Sequence, residues 1–313
     1  MKILWIHDFT LRESNKNYYQ GGAQITNLMI MDEGEKRGHN IGEMCPDEIQ
    51  YDKVKKWEPE LIITNNISRF KPEDIEWLHN NFPCIRYEHD FGFCKKRDGN
   101  CDQHGGPCKN EFFETIFKKS IHTIFLSPLQ YKIHKASMDF LEEGKNVTII
   151  PSPIDIDLFR NKEIKRKKNT YIYFGEIWEN KGVPEMLDYA RTHIGIFHFA
   201  GRPSSHPLIN QINQQFNCAY LNEVPHAFVP MHLQKYENFM AMQKWVEAFG
   251  RAVMEAKVAG CNILTGPTTR IGALSFDCTD NELIEQCRNA PKTFWETIEA
   301  VVEEQKWEKK IKK

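Results

Sequence analysis

At 313 residues the chain is long for one core and suits two domains. An aromatic content of 12% lets both halves bury a core, and a net charge of −2 leaves no general field to draw in nucleic acid. No apolar run approaches the roughly 20 residues that span a bilayer. The nine cysteines are odd in number, sit mostly in apolar runs and have no export signal beside them, which points to a reducing cytosol.

In chain order, Met1-Lys-Ile-Leu-Trp-Ile-His7 is too short for a signal peptide and reads as a first strand. A loop follows, and then Gly21-Gly22-Ala23-Gln24 opens a helix over 23–36 that closes at Lys36-Arg37-Gly38-His39. Apolar bursts at 61–64, 84–87, 123–126 and 147–150 alternate with helical stretches at 72–80, 111–119 and 129–141. This alternation predicts a parallel sheet covered on both faces. A turn-rich, charged segment from Pro151 to Asn169 then reads as a linker. After it the pattern restarts: strand 171–174, helix 182–191, strand 195–199 and helix 207–215. The expected organisation is a first doubly wound domain over 1–153, a linker over 154–169, a second such domain over 170–290 and a charged amphipathic helix over 291–313. Two such domains imply a cleft, with ligands at the carboxyl ends of the strands. The basic clusters at Lys95-Lys96-Arg97 and from Lys162 to Lys168 lack interleaved aromatics and read as solvated surface.

Chemistry-bearing residues fall at the ends of predicted strands. Gly21-Gly22 at a helix N-terminus lets backbone approach a ligand and offers N–H groups to an anion, although an ordinary helix-opening turn uses the same residues. The run is not G-x-G-x-x-G, which argues against a nicotinamide fingerprint. Gly175 ends a strand and Lys181-Gly182 begins the next helix, where a lysine can meet a diphosphate beside the helix's positive end or serve as an ordinary surface residue. Gly201-Arg202 ends the next strand and points a second loop the same way. Glu247-Ala-Phe-Gly-Arg-Ala-Val-Met-Glu255 reads as one helix closing at Gly260, before a buried strand from Cys261 to Thr265. Eight helical residues advance roughly 12 Å, so two carboxylates so spaced suit vicinal hydroxyls on a sugar and a ribose. A bare pair of this spacing also fits an amphipathic helix with two solvated glutamates.

Between the strand at 84–87 and the helix at 111–119 lies Glu88-His89-Asp90, followed by Cys94, Cys101, His104 and Cys108 in the spacing C-x6-C-x2-H-x3-C. Three thiols and an imidazole could close a tetrahedral zinc site, and a loop this long needs a staple. Free thiols or a facultative disulfide are the alternatives.

Taken together, from Met1 to Leu274, these residues resemble the retaining GT-B glycosyltransferases of glycosyltransferase family 4. The parts occur in family order: the glycine pair with Arg37-Gly38-His39, then Ile149-Ile-Pro-Ser-Pro-Ile-Asp155, Gly175 with Lys181-Gly182, Ala200-Gly201, and Glu247 to Gly260. The resemblance implies an α/β GT-B fold of two Rossmann-like, doubly wound parallel-sheet domains facing a cleft, acceptor-binding first and nucleotide-sugar-binding second. It implies a hexosyltransferase-type enzyme in glycan or polysaccharide biosynthesis that moves a sugar from a UDP- or GDP-sugar to a glycan, lipid-linked or small-molecule hydroxyl. No cofactor or catalytic metal is implied, and no D-x-D run is positioned to hold one at the donor diphosphate. The implied catalytic residues are Lys181, Glu247 and His89. The implied donor-binding residues are Gly22, Gly175, Lys181, Arg202, Glu247, Phe249, Gly250 and Glu255. In the family Glu247 would meet the donor sugar, Glu255 the ribose and Lys181 the diphosphate. One departure stands out: the family's arginine after Gly175 is here Glu176, so Arg202 or Arg251 is the expected substitute cation. The cytoplasm is the expected location, with attachment at a membrane surface left open. Two other readings remain: a non-catalytic nucleotide- or carbohydrate-binding GT-B relative and, behind it, a nicotinamide-linked oxidoreductase.

Overall fold

The computed structural model describes residues 1–8, 21–101, 105–160 and 164–311. Contacts divide the chain into two compact units, Met1–Pro153 together with Glu285–Lys313, and Ile154–Ile284.

The first unit runs β1 (Lys2–Ile6), α1 (Gly22–Lys36), β2 (Asn40–Met44), α2 (Tyr51–Trp57), β3 (Leu61–Thr64), α3 (Pro72–Asn81), β4 (Cys84–Tyr87), α4 (Glu111–Lys119), β5 (His122–Phe125), α5 (Pro128–Ser137) and β6 (Val147–Ile149). Its six strands pair in parallel in the order β2-β1-β3-β4-β5-β6. Every residue of β3, β4 and β5 is buried, as expected of central strands covered by helices on both faces. Helix starts follow local chemistry: Asn110 and Ser127 cap α4 and α5 by accepting from Phe113 N and Gln130 N. The sequence pattern does not reveal β2, because Gly42 and Glu43 interrupt its apolar residues. It forms by pairing along all of β1, from Lys2 with Asn40 to Ile6 with Met44.

The second unit runs α6 (Ile156–Phe159), β7 (Lys167–Phe174), α7 (Val183–Thr192), β8 (Ile196–Ala200), α8 (His206–Gln214), β9 (Cys218–Tyr220), α9 (Val229–Leu233), β10 (Tyr236–Ala241), β11 (Val246–Glu247), α10 (Arg251–Val258), β12 (Asn262–Thr265) and β13 (Arg270–Ile271). Five strands pair in parallel as β12-β10-β7-β8-β9. Phe197, Phe199, Met186, Leu187, Ile212 and Met240 form part of its core. The segment expected as a linker carries α6 and the first residues of β7. The inner strand β10 escapes the periodicity reading because Glu237 and Asn238 break its apolar run. Both side chains are used by the neighbouring strand: Glu237 accepts from Asn169 N at 2.7 Å, and Asn238 Nδ2 donates to Thr170 O at 3.3 Å.

A last helix, α11, spans Asp280–Ile311. It starts well before Pro291, where the sequence suggested a boundary, and runs through that proline. Its docking face supplies the reason: Phe294 and Trp295 are fully buried beside Trp5 in the first unit, and Trp295 Nε1 donates to Ile30 O at 2.7 Å. Tertiary burial thus offsets the local cost of a proline. Among the described residues, no helix is long and apolar enough to cross a membrane.

Candidate functional site

Three loops at the carboxyl edge of the second sheet press together at glycines. A Cβ on Gly182, whose φ is +77°, would lie 1.9 Å from Met242 O, beyond β10. A Cβ on Gly201 would lie 1.9 Å from Gly175 O, between the loops after β7 and β8. Backbone bonds tie the same segments: Ile177 N donates to Arg202 O at 2.9 Å and Lys244 N to Asn180 O at 3.0 Å. Only glycine fits such backbone approaches.

This close packing holds Lys181, just ahead of α7, against Glu247. Lys181 Nζ lies 2.6 Å from Glu247 Oε1, and Trp245 Nε1 donates to the same oxygen at 2.8 Å. The ammonium also sits 4.0 Å from the centre of the Trp245 ring. Burial pushes the Glu247 carboxyl up. The charge of Lys181 and the bonds from Lys181 and Trp245 outweigh that, so the group ends below its ordinary range. The pair is 18% and 21% exposed, enough for a ligand to reach it. It offers an ionised acceptor beside a cation whose ammonium carries three donors.

Glu255 lies just over one turn into α10 and is buried there. Arg251 Nε lies 2.8 Å from Glu255 Oε1, and His226 Nε2 lies 3.1 Å from the same oxygen. The single helix expected from Glu247 to Gly260 is shorter than that. Glu247 pairs in parallel with Ile271 in β11, and α10 begins at Arg251, after Gly250 in the left-handed region at φ +86°. The two carboxylates therefore do not share one helix, and the 12 Å helical spacing does not apply. A Cβ on Gly250 would meet the Ile271 side chain at 2.5 Å, so this turn requires glycine. Phe249 is buried, and its carbonyl accepts from Ala273 N at 2.7 Å.

Of the two expected substitute cations, Arg251 is engaged with Glu255 and nearly buried, whereas Arg202 is exposed on the loop after β8. Glu176 accepts a hydrogen bond from the Ser204 hydroxyl. The residues expected from the sequence thus fall into two groups. Gly175, Lys181, Arg202, Glu247, Phe249, Gly250 and Glu255 belong to the second unit, while Gly22 and His89 belong to the first. Gly22 opens α1, where Gly21 N donates to Gln24 Oε1 at 2.7 Å. His89 is the second residue past β4 and packs edge-on against Tyr87, with ring centres 4.4 Å apart. Its Nε2 is buried and has no hydrogen-bond partner among the described residues. Burial lowers its pKa to about 3, leaving the imidazole neutral near pH 7. Beside it, Arg86 donates to buried Glu88 at 2.8 Å. Burial lifts Glu88 to about 7 against the pull of Arg86.

The sequence reading missed Trp245, His226 and Ser204. Trp245 carries a signal, since residues two apart in extended chain share a face. His226 and Ser204 carry none, because only the fold brings them to Glu255 and Glu176. Cys94, Cys101 and Cys108 come together in the first unit, and His104 lies outside the described residues.

No protein-family model and no curated protein matches the sequence. Solved structures do. Sucrose-phosphate synthase from Thermosynechococcus elongatus superposes with a TM-score of 0.65 at 13% identity, covering 99% of this chain and 98% of that one. The Anabaena protein HepE, solved with UDP and glucose, gives 0.61 at 12% identity over 94% of each chain. A glycosyltransferase of avilamycin A biosynthesis gives 0.57 at 15% identity over 97% and 96%. At these identities the likeness is one of fold, and the fold is that of GT-B glycosyltransferases.

Proposed function

We propose that the protein transfers a sugar from a UDP- or GDP-linked donor to an acceptor hydroxyl, with retention of anomeric configuration and without a catalytic metal, as a member of glycosyltransferase family 4. The observation that carries this reading is the ionised Glu247 held 2.6 Å from the Lys181 ammonium at the carboxyl edge of the second sheet. A donor sugar needs an acceptor for its hydroxyls, and a departing diphosphate needs a cation. This pair offers both. Lys181 neutralises the diphosphate, aided by N–H groups left without intrahelical partners at the starts of α7 and α10. Glu247 receives hydroxyls of the donor sugar and Glu255 those of the ribose. Gly175 and Gly250 let backbone approach the nucleotide, with Phe249 beside it, while Arg202 supplies the cation that Glu176 does not. Gly22 and the neutral His89 are the further residues of this reading.

Positive charge builds on the sugar while negative charge builds on the leaving group. The leaving phosphate helps to deprotonate the acceptor on the same face, so no carboxylate acts as nucleophile. The acceptor is a glycan, a lipid-linked sugar or a small molecule, and the setting is the cytoplasm. The likeness of fold to HepE, solved with UDP and glucose, supports a UDP-sugar donor.

A thermal-shift screen across UDP, GDP, ADP and their sugars tests the donor, followed by nuclear magnetic resonance of the product anomer. Stabilisation by a nucleoside diphosphate and an axial-to-axial or equatorial-to-equatorial outcome are expected. Stabilisation by NAD alone, or an inverted product, would refute it. Glu176 favours one second reading, a nucleotide-binding relative without catalysis. Donor hydrolysis without acceptor separates the two.

A further inference from the structure

The loop between β4 and α4, residues 88–110, is far longer than the about 12–15 residues that chain connections reach without structure of their own. Its charged residues Lys95, Lys96 and Arg97 face solvent, yet its cysteines turn inward. Cys94, Cys101 and Cys108 are 2%, 5% and 6% exposed, and their sulfurs all lie within 4.8 Å of one another. The Cys94 and Cys108 sulfurs are 3.9 Å apart. A disulfide requires about 2.05 Å. Two thiolates at about 2.3 Å from one tetrahedral zinc stand roughly 3.8 Å apart. The observed spacing, which two thiols in contact also adopt, is close enough for a shared metal.

The backbone around the cluster is shaped to match. Arg97 and Gly99 adopt positive φ after Cys94, and Gly105 and Gly106 do so before Cys108. Each pair bends the chain back after or before a cysteine.

We propose that Cys94, Cys101 and Cys108 hold one zinc ion that staples this loop to itself. Binding exchanges three thiol protons for one divalent cation, with a neutral fourth ligand such as water completing the tetrahedron, and leaves one net negative charge beside Lys95 and Lys96. The role is structural and independent of sugar transfer.

Full-length protein purified under reducing conditions without chelator should carry about one zinc per chain by elemental analysis. C94S, C101S and C108S should each lose it, while C45S and C218S keep it. Because the first three variants can fail to fold, the deciding measurement uses the wild-type chain. Cobalt(II) exchanged for the metal should give the visible bands of a tetrahedral thiolate site with one-to-one stoichiometry. No zinc or cobalt uptake by the reduced protein would overturn the assignment, as would metal retained in all three serine variants. A disulfide between two of these cysteines in peptides mapped without reduction would overturn it as well.

Discussion

At the scale of single residues, Lys181 and Glu247 form one unit whose two halves are separable by experiment. On the proposed function, Lys181→Ala should lower turnover by about 10²–10³, or about 2.7–4 kcal/mol, and weaken donor binding by less, because a contact to the diphosphate would strengthen as charge develops. Steady-state kinetics with the matching donor measure both, and wild-type turnover in the variant would place the diphosphate elsewhere. In the same assay Glu176→Arg should preserve or raise activity. The Glu247 carboxyl sits below its ordinary range because Lys181 and Trp245 overcome the cost of burial. A folded-state pKa below the unfolded one stabilises the protein above the ordinary carboxylate range, and that stability disappears as pH falls through the folded value. The melting-temperature gap between wild type and Glu247→Gln should therefore be widest near pH 7 and close as the solution is acidified below about pH 4.5. A gap constant with pH would show that the pair does not carry this linkage. Glu255→Gln removes the charge facing Arg251, and free-nucleotide affinity should drop by about 1.5–3 kcal/mol. Calorimetric titration reads that directly, and unchanged affinity would remove Glu255 from the ribose.

At the scale of elements, the loops after β7, β8 and β10 are positioned by backbone contact more than by side chains. Gly182 caps the start of α7 in the left-handed region with the Met242 carbonyl directly behind it. Gly182→Ala adds a methyl group where backbone stands, so the loop carrying Lys181 must shift. The expected result is a stability loss of about 1–3 kcal/mol together with weakened donor binding. Denaturant unfolding and titration on the same sample measure the two effects. Intact binding in a destabilised variant would mean that Lys181 tolerates movement of its loop. The helix α10 works differently: Gly250 ends the extended run through Glu247 and starts a helix that buries Glu255.

At the scale of the whole molecule, the chain completes its first unit last. From Glu285 onward α11 belongs with residues 1–153, and the Trp295 indole fills space that α1 leaves open. A Cβ on Gly34 would lie 2.3 Å from that ring, so the glycine in α1 is the matching half of the contact. Arg37 and His39 reach Glu299 at 3.2 and 3.0 Å on the same face. Trp295→Ala should destabilise the protein by about 3–5 kcal/mol, the usual cost of emptying a buried aromatic site. Guanidinium unfolding followed by circular dichroism checks this, and a change under about 1 kcal/mol would show that α11 docks without it.

The α/β class, two parallel sheets and most of their inner strands follow from the sequence alone, because short, mostly apolar bursts such as β3, β4 and β5 alternate with helical stretches and are buried along their whole length. The sequence also placed glycines and charged residues at strand ends, since those positions need residues that break periodicity. Tertiary structure decided what depends on a neighbour. The edge strand β2 and the polar-interrupted β10 form because β1 and β7 offer them backbone partners. The helix expected at Glu247 starts at Arg251 instead, because Glu247 pairs with Ile271 and Gly250 fits only a left-handed turn. The contacts of Lys181 with Glu247 and of His226 with Glu255 span 66 and 29 residues of sequence. No local pattern encodes a distance of that kind. Folding sets it, by packing the loops of one sheet edge against one another.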